Sequence, residues 1–374
     1  MKTKQLPKNW KVKPLFDYLD YEQPIKYIIT TPITNDKTST PVLTANKGFI
    51  KGYTDETEGI YENVPAIIFD DFTTDNKFVN FPFKVKSSAM KILKQKSEDV
   101  DLRFIFYQMQ MQKVNHTTHK RYYLSTYQNL DFVFPPLPLQ KKIVSAIETQ
   151  FTRLDEAVKS LKAVKQKIQL YRKAVLKKAF EKGEEVELGK IFEIVMGQSP
   201  PSEFYNKNKK GLPFFQGKKE FNYKYPNIEI WTEKYNKEAE KGDLLLSIRA
   251  PIGPCNIAPE RCAIGRGIAA IKANNETESL LLFYLVKFNA QRLDSKGTGT
   301  TFKAISKTGL NSFLTNIPPK KDWQKIISSI ESSFSVIDKV ENIVDNSLKK
   351  AEQLRKSILK VAFEGRLVSE GQNI

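Results

Sequence analysis

Cysteine and histidine are nearly absent from this chain of 374 residues, which holds two of each: Cys255 and Cys262, His116 and His119. Two cysteines cannot build a disulfide framework, their separation is not a zinc-knuckle spacing, and both suit a reducing cytoplasm. The histidine pair, with no further ligand type beside it, reads as part of a polar loop rather than a metal site. Long apolar runs are missing too. Nothing approaches the roughly 18 uncharged residues of a membrane span, and Met1 to Trp10 lacks the apolar core of a signal peptide, so a soluble cytoplasmic protein is expected.

Catalytic signatures are equally scarce. An adenine methyltransferase needs a glycine-rich cofactor loop and an Asn/Asp-Pro-Pro-aromatic motif to hold a flipped base. The nearest strings, Asn316-Ile317-Pro318-Pro319 and Phe134-Pro135-Pro136-Leu137, lack the adjacent acid or amide and the stacking aromatic, and read as helix starts. Asp70 and Asp71 suggest a magnesium pair, but no third carboxylate with a following lysine lies close by, and an aspartate at a strand end usually caps a turn. Gly297-Thr298-Gly299-Thr300-Thr301 lacks the preceding strand and the lysine of a P-loop, so a flexible loop is the better reading.

Acid is in short supply as well: 42 acidic residues face 60 basic ones, a formal charge of +18 that points to a polyanion, nucleic acid first. The plainer reading is a lysine-rich surface that keeps the protein soluble. What is present is core material. With 40% hydrophobic and 11% aromatic residues over this length, two or three globular units are expected rather than disorder.

One segment occurs twice at a constant offset of 183 residues, Pro135 to Glu181 and Pro318 to Glu364. Both copies open on Pro-Pro and then reach their ends with no glycine and, beyond Pro138, no further proline. Each therefore predicts one long helix, about 65 Å at 1.5 Å per residue. Apolar residues recur every seven positions at Ile147, Leu154, Leu161, Ile168 and Val175, and at Ile330, Ile337, Val344, Ala351 and Ile358. That is a coiled-coil seam, with a second row at Phe151 and Val158 drifting to Val164 and Tyr171. The natural partner of each stripe is the other copy, packed antiparallel.

The repeat divides the chain into 1–134, 135–183, 184–317 and 318–374. The fold class expected is α+β, two globular domains alternating with two long helical arms that pair as an antiparallel coiled coil. Each globular part carries +4, and the densest charge, +8, lies on the first arm.

This order resembles, over the whole chain, the specificity subunit of type I restriction-modification enzymes. PPLPLQ (Pro135 to Gln140) is similar to the family's proline-rich helix start and LRKSILKVAFEGRL (Leu354 to Leu367) to its helix ending. YEQPIKYI, PVLTANKGFIKGYT and IIFDDFTT resemble one variety of its target recognition domain. FEIVMGQSPPS, PFFQGKKEF, GDLLLSIRAPIG and AIGRGIAAI resemble another. The second proline box departs from the pattern, with Lys320-Lys321-Asp322-Trp323 where the first has Leu137-Pro138-Leu139-Gln140, so the second arm is expected to start differently.

The resemblance implies a non-catalytic subunit that reads a bipartite, asymmetric target in double-stranded DNA, one half-site per domain, and docks two modification (methyltransferase) subunits on its helices. Restriction/translocase subunits complete the assembly. No cofactor is expected in this chain; S-adenosylmethionine, and ATP and Mg2+ for restriction, belong to other subunits. A coiled-coil scaffold that binds only proteins is the alternative; it leaves two basic domains of equal size unexplained.

Base contacts are expected from polar and basic loop residues: Lys47, Tyr53, Thr73, Lys77 and Arg121 in the first domain, and Gln216, Lys218, Arg249, Arg266 and Thr300 in the second. The partner surface is expected on arm residues kept in both copies: Phe151, Asp155, Arg172 and Phe180, with Phe334, Asp338, Arg355 and Phe363. For Phe151 and Phe334, holding the arms together is an equal alternative. Charge reversal at Arg172 and Arg355 is expected to weaken assembly while leaving the chain folded.

Overall fold

A computed structural model describes residues 9–45, 48–112, 114, 120–299 and 303–368. The repeat forms two continuous helices, Leu137–Phe180 and Trp323–Phe363. The chain divides into two compact units, 1–161 with 346–374, and 162–345, and the division cuts both arms. Each unit thus holds one globular domain and a stretch of each arm. No helix among the described residues is long and apolar enough to cross a membrane.

The first unit contains a four-stranded antiparallel sheet in the order Leu19–Glu22, Met90–Gln95, Ala66–Asp70, Asn76–Val79. A three-stranded sheet orders Ile50–Thr54, Thr40–Leu43, Lys84–Val85. Ala66–Asp70 is apolar on both faces for a reason. Ile67 and Phe69 join the core that includes Phe104, Ile147 and Phe363, whereas Ala66 and Ile68 point the other way, into a core with Leu43, Phe83 and Val85. The helix Leu102–Met109 is capped by Asp101, whose carboxylate accepts the N–H groups of Arg103 and Phe104.

The second unit has a four-stranded antiparallel sheet, Ile194–Met196, Ile268–Ile271, Leu244–Ser247, Cys255–Ile257. A five-stranded mixed sheet orders Tyr205–Asn206, Trp231–Thr232, Leu212–Phe215, Cys262–Ile264, Glu238–Ala239. The helix Glu276–Ser295, capped by Asn275, packs on the strand Cys255–Ile257. In each unit an antiparallel ribbon joins the two ends of the domain where the arm begins: Lys11–Pro14 with Asp131–Phe134, and Glu184–Glu187 with Leu314–Ile317.

Within each unit the arms run antiparallel. In the second, Lys165 pairs with Asp345, Gln169 with Glu341 and Arg172 with Asp338, one number rising as its partner's falls. In the first, Asp155 pairs with Arg355. All ten heptad positions are buried or half-buried, but Val164 and Tyr171 are exposed. The 3.6-residue helix has carried that row off the seam, and Lys165 and Arg172 take the inward places beside it and reach acids of the opposite arm. The second arm does start differently, through a 3-10 turn, Lys320–Asp322.

Candidate nucleic-acid interface

In the second domain five segments are tied together near the ends of strands. Gly265-Arg266-Gly267 is a tight turn between Cys262–Ile264 and Ile268–Ile271, closed by the Ile268 N–H donating to the Gly265 carbonyl at 2.9 Å. A Cβ on Gly267 would lie 2.2 Å from the Gln216 carbonyl oxygen, so only glycine admits this approach. The Gly265 N–H donates to the Phe215 carbonyl at 2.8 Å, the Arg266 N–H to Ser199 Oγ at 3.1 Å, and the Ile248 N–H to the Gly267 carbonyl at 3.0 Å. The Ala250 N–H bonds the Lys303 carbonyl at 3.0 Å, and Arg249 bridges Ala304. Gln216, Lys218, Arg249 and Arg266 therefore stand exposed on neighbouring segments. Thr300 lies outside the described residues, as do Lys47, His116 and His119.

The first domain builds a smaller group. Asp70 accepts the N–H groups of Phe72 and Thr73, each at 2.9 Å, and so caps the turn after its strand. Asp71 is buried: its carboxylate accepts the Tyr123 N–H at 2.9 Å and faces the Lys91 ammonium at 3.4 Å, while its carbonyl accepts the Tyr122 N–H at 2.8 Å. These bonds clamp the segment carrying Arg121 to the turn carrying Thr73, and both side chains are exposed. Lys77 is half-buried on the next strand, opposite Ile68. Tyr53 is not brought to this group; it sits half-buried in the three-stranded sheet, bonded through its backbone to Thr34.

The eight arm residues are used inside the units. In the first, the Arg355 guanidinium lies 4.1 Å from the Phe151 ring centre and pairs with Asp155, and Phe363 meets Phe104 edge-on at 5.2 Å. In the second, Arg172 lies 5.3 Å from the Phe334 ring and bonds Asp338 at 2.5 Å and Glu341 at 2.7 Å, and Phe180 stacks on Phe288 at 5.9 Å. The acids outweigh the desolvation of the Arg172 guanidinium and raise its pKa above the ordinary value. The four phenylalanines are buried. Reversing the charge of Arg172 would set a third carboxylate against two others, so such a change acts on the chain's own stability before any partner is involved.

Sequence reasoning missed six residues beside these. Glu148 accepts Arg103 at 3.0 Å and the Tyr107 hydroxyl at 3.3 Å, and Glu331 accepts Lys224 at 2.9 Å and the Tyr284 hydroxyl at 2.5 Å. The available signal was that Glu148 and Glu331 are identical at the 183-residue offset.

Comparison with known proteins places these features. The family described as "Type I restriction modification DNA specificity domain" matches residues 181–350. A putative type I restriction enzyme specificity subunit of Methanocaldococcus jannaschii is 35% identical over 257 residues, 64% of this chain and 60% of that protein. The match thus spans less than two thirds of that relative. The EcoR124I/EcoR124II specificity subunit of Escherichia coli is 28% identical over 376 residues, 91% of this chain and 90% of its own. A structure described by the complex assembly and conformational transition of the type I R-M system superposes with a TM-score of 0.82 at 24% identity, over 97% of this chain and 100% of its own. The HsdS subunit from Thermoanaerobacter tengcongensis gives 0.59 at 23% identity, covering 98% and 99%.

Proposed function

We propose that the chain, which its family match and its relatives liken to type I restriction-modification specificity subunits, addresses such a complex to a bipartite, asymmetric sequence in double-stranded DNA. It performs no chemistry of its own. Adenine methylation with S-adenosylmethionine, and ATP- and Mg2+-dependent restriction, fall to the modification and restriction subunits it assembles with in the cytoplasm.

One observation carries the reading: unlike domains, each presenting exposed polar and basic loop residues, are mounted on arms that keep Glu148, Phe151, Asp155, Arg172 and Phe180 unchanged at the 183-residue offset. Arginine and lysine read guanine edges and glutamine reads adenine, while neighbouring bases grip phosphate. Gln216, Lys218, Arg249 and Arg266, together with Thr300, are assigned to one half-site. Thr73, Lys77 and Arg121 are assigned to the other, and Tyr53 lies in a separate part of the first domain. The arms are assigned to docking two modification subunits, with residues 1–134 and 184–317 as the exchangeable recognition modules.

Exchange of residues 1–134 for another member's first domain is expected to change one half-site and preserve the other, read by mapping methylated adenines genome-wide. A change in both halves would overturn modular reading. Arg266→Ala should weaken binding to the second half-site by about 1–3 kcal/mol if the residue reads a base, with loss of discrimination at one position. A protein-only scaffold would show no salt-dependent binding to duplex DNA at all.

A further inference from the structure

The arms present the same acid one helical turn before the same ring: Glu148 and Phe151, Glu331 and Phe334. A tyrosine from the globular domain meets both members at once. In the first unit the Tyr107 ring packs edge-on against Phe151 at 5.7 Å while its hydroxyl donates to Glu148. In the second, Tyr284 packs edge-on against Phe334 at 5.6 Å and donates to Glu331. A base from the same domain, Arg103 or Lys224, joins each glutamate, and an arginine of the opposite arm lies over each ring. The helices that supply the tyrosines, LRFIFYQM and ETESLLLFYLVKFNAQRLDS, share little beyond a Phe-Tyr pair.

An edge-on ring contact alone leaves a domain free to swivel about it, because aromatic pairs tolerate a range of angles. A hydrogen bond to a fixed carboxylate adds direction, and a charged acceptor strengthens it. Resting on the DNA-reading function proposed above, the geometry points to a repeated docking socket. Glu148 and Glu331 are positioning residues that fix the angle at which each recognition domain stands on its arms, and hence the phase in which it meets DNA.

The protonation states suit this. Burial pushes the Tyr107 hydroxyl up to about 12 and Tyr284 higher still, so both remain donors. Burial opposes ionisation of Glu331, but the Tyr284 hydroxyl and the Lys224 ammonium prevail and hold its carboxyl below the usual range. It stays an acceptor.

The test uses the full chain carrying Tyr284→Phe or Glu331→Gln, each of which keeps the packing. Spin labels at Lys219→Cys and Lys339→Cys, both exposed positions of the second unit, report how the domain is held on its arms; the native cysteines are buried. The same variants, assembled with modification subunits, are scored on targets whose spacer is one base pair longer or shorter. Loss of a charge-assisted bond should raise the misoriented population about tenfold, broadening the distance distribution and cutting spacer discrimination by a similar factor. Half-site bases should not change. A fall in melting temperature alone, with width and discrimination unchanged, would make the contact merely structural and overturn the inference. If the unmodified chain shows no half-site preference the DNA-reading function fails instead, and the label widths still decide the socket.

Discussion

The two units use alike arms to carry unlike domains, and the start of each arm shows how far the likeness goes. At equivalent positions 183 residues apart stand Gln140 and Trp323, chemically unrelated. Each donates from its side chain to a proline carbonyl five residues back at 2.8 Å, Gln140 to Pro135 and Trp323 to Pro318. What is kept is a donor that pins the proline box to the first turn of the helix. The rest answers to the local domain. Gln140 also accepts the Asp101 N–H at 2.9 Å and donates to the Asp99 carbonyl at 3.1 Å, tying down the segment that leads into the helix Leu102–Met109. Trp323 has one donor only, and its ring lies near Phe192, with the Lys320 ammonium 5.6 Å above it.

One difference between the units is the Asp71–Lys91 pair, both members buried, which holds the Arg121 segment in the first domain. Removing one member of a buried pair leaves the other charge uncompensated, a cost of about 3–5 kcal/mol. Lys91→Ala is therefore expected to destabilise the first unit by that amount and to leave the second unchanged, seen as an early shift of one of two denaturant transitions. An equal shift of both would mean that the units do not unfold separately. The same variant should weaken binding to one half-site more than the other.

A smaller contrast follows from the arm starts. Gln140→Leu strands the Asp101 N–H and the carbonyls of Asp99 and Pro135, whereas Trp323→Phe keeps a ring and strands the Pro318 carbonyl alone. At about 1 kcal/mol or more for each buried group stranded, and less for the carbonyl of the exposed Asp99, the first should cost about 2–3 kcal/mol and the second about 1. Equal losses, measured by denaturation of the two variants, would show that the extra bonds of Gln140 contribute nothing.

Much of this architecture is legible in sequence because a long repeat is a local, one-dimensional signal. The Pro-Pro pairs, the seven-residue step and the constant offset define both arms. What a repeat cannot reveal is contact. Phe151, Asp155 and Arg172 are visibly kept, but whether they face a partner or the other arm depends on register between segments far apart in the chain. Glu148 and Glu331, on lysine-rich helices, look like ordinary solvated charges, and the tyrosines that bind them are 177 residues apart, out of step with the repeat. The recognition loops divide in the same way. Gly265-Arg266-Gly267 announces a tight turn and its arginine is exposed, while Tyr53 stands on a strand of a different sheet from Thr73, a strand pairing that no local pattern encodes.

The smallest expected contrast is between the two arginines that cross the arm seam. Arg172 is the better placed: its side chain is 17% exposed, it engages two carboxylates, Asp338 and Glu341, and it lies over the Phe334 ring. Arg355 is 41% exposed and, among the described residues, engages one carboxylate, Asp155, though it lies closer to its ring. A half-exposed pair contributes little and is screened by salt, whereas a partly buried fork between two acids is stronger and screened less. Arg172→Ala should cost about 2 kcal/mol and Arg355→Ala about 1, the ring contacts adding a few tenths to each. Raising the ionic strength to about 1 M, where the Debye length falls to about 3 Å, should shrink the second loss more than the first. Arg172→Lys separates geometry from charge, since an ammonium cannot span both acids as a planar guanidinium does, so it should recover only part of the loss. If the alanine variants lose equally and respond equally to salt, burial at the Arg172 site is not what distinguishes the two halves of the arm pair.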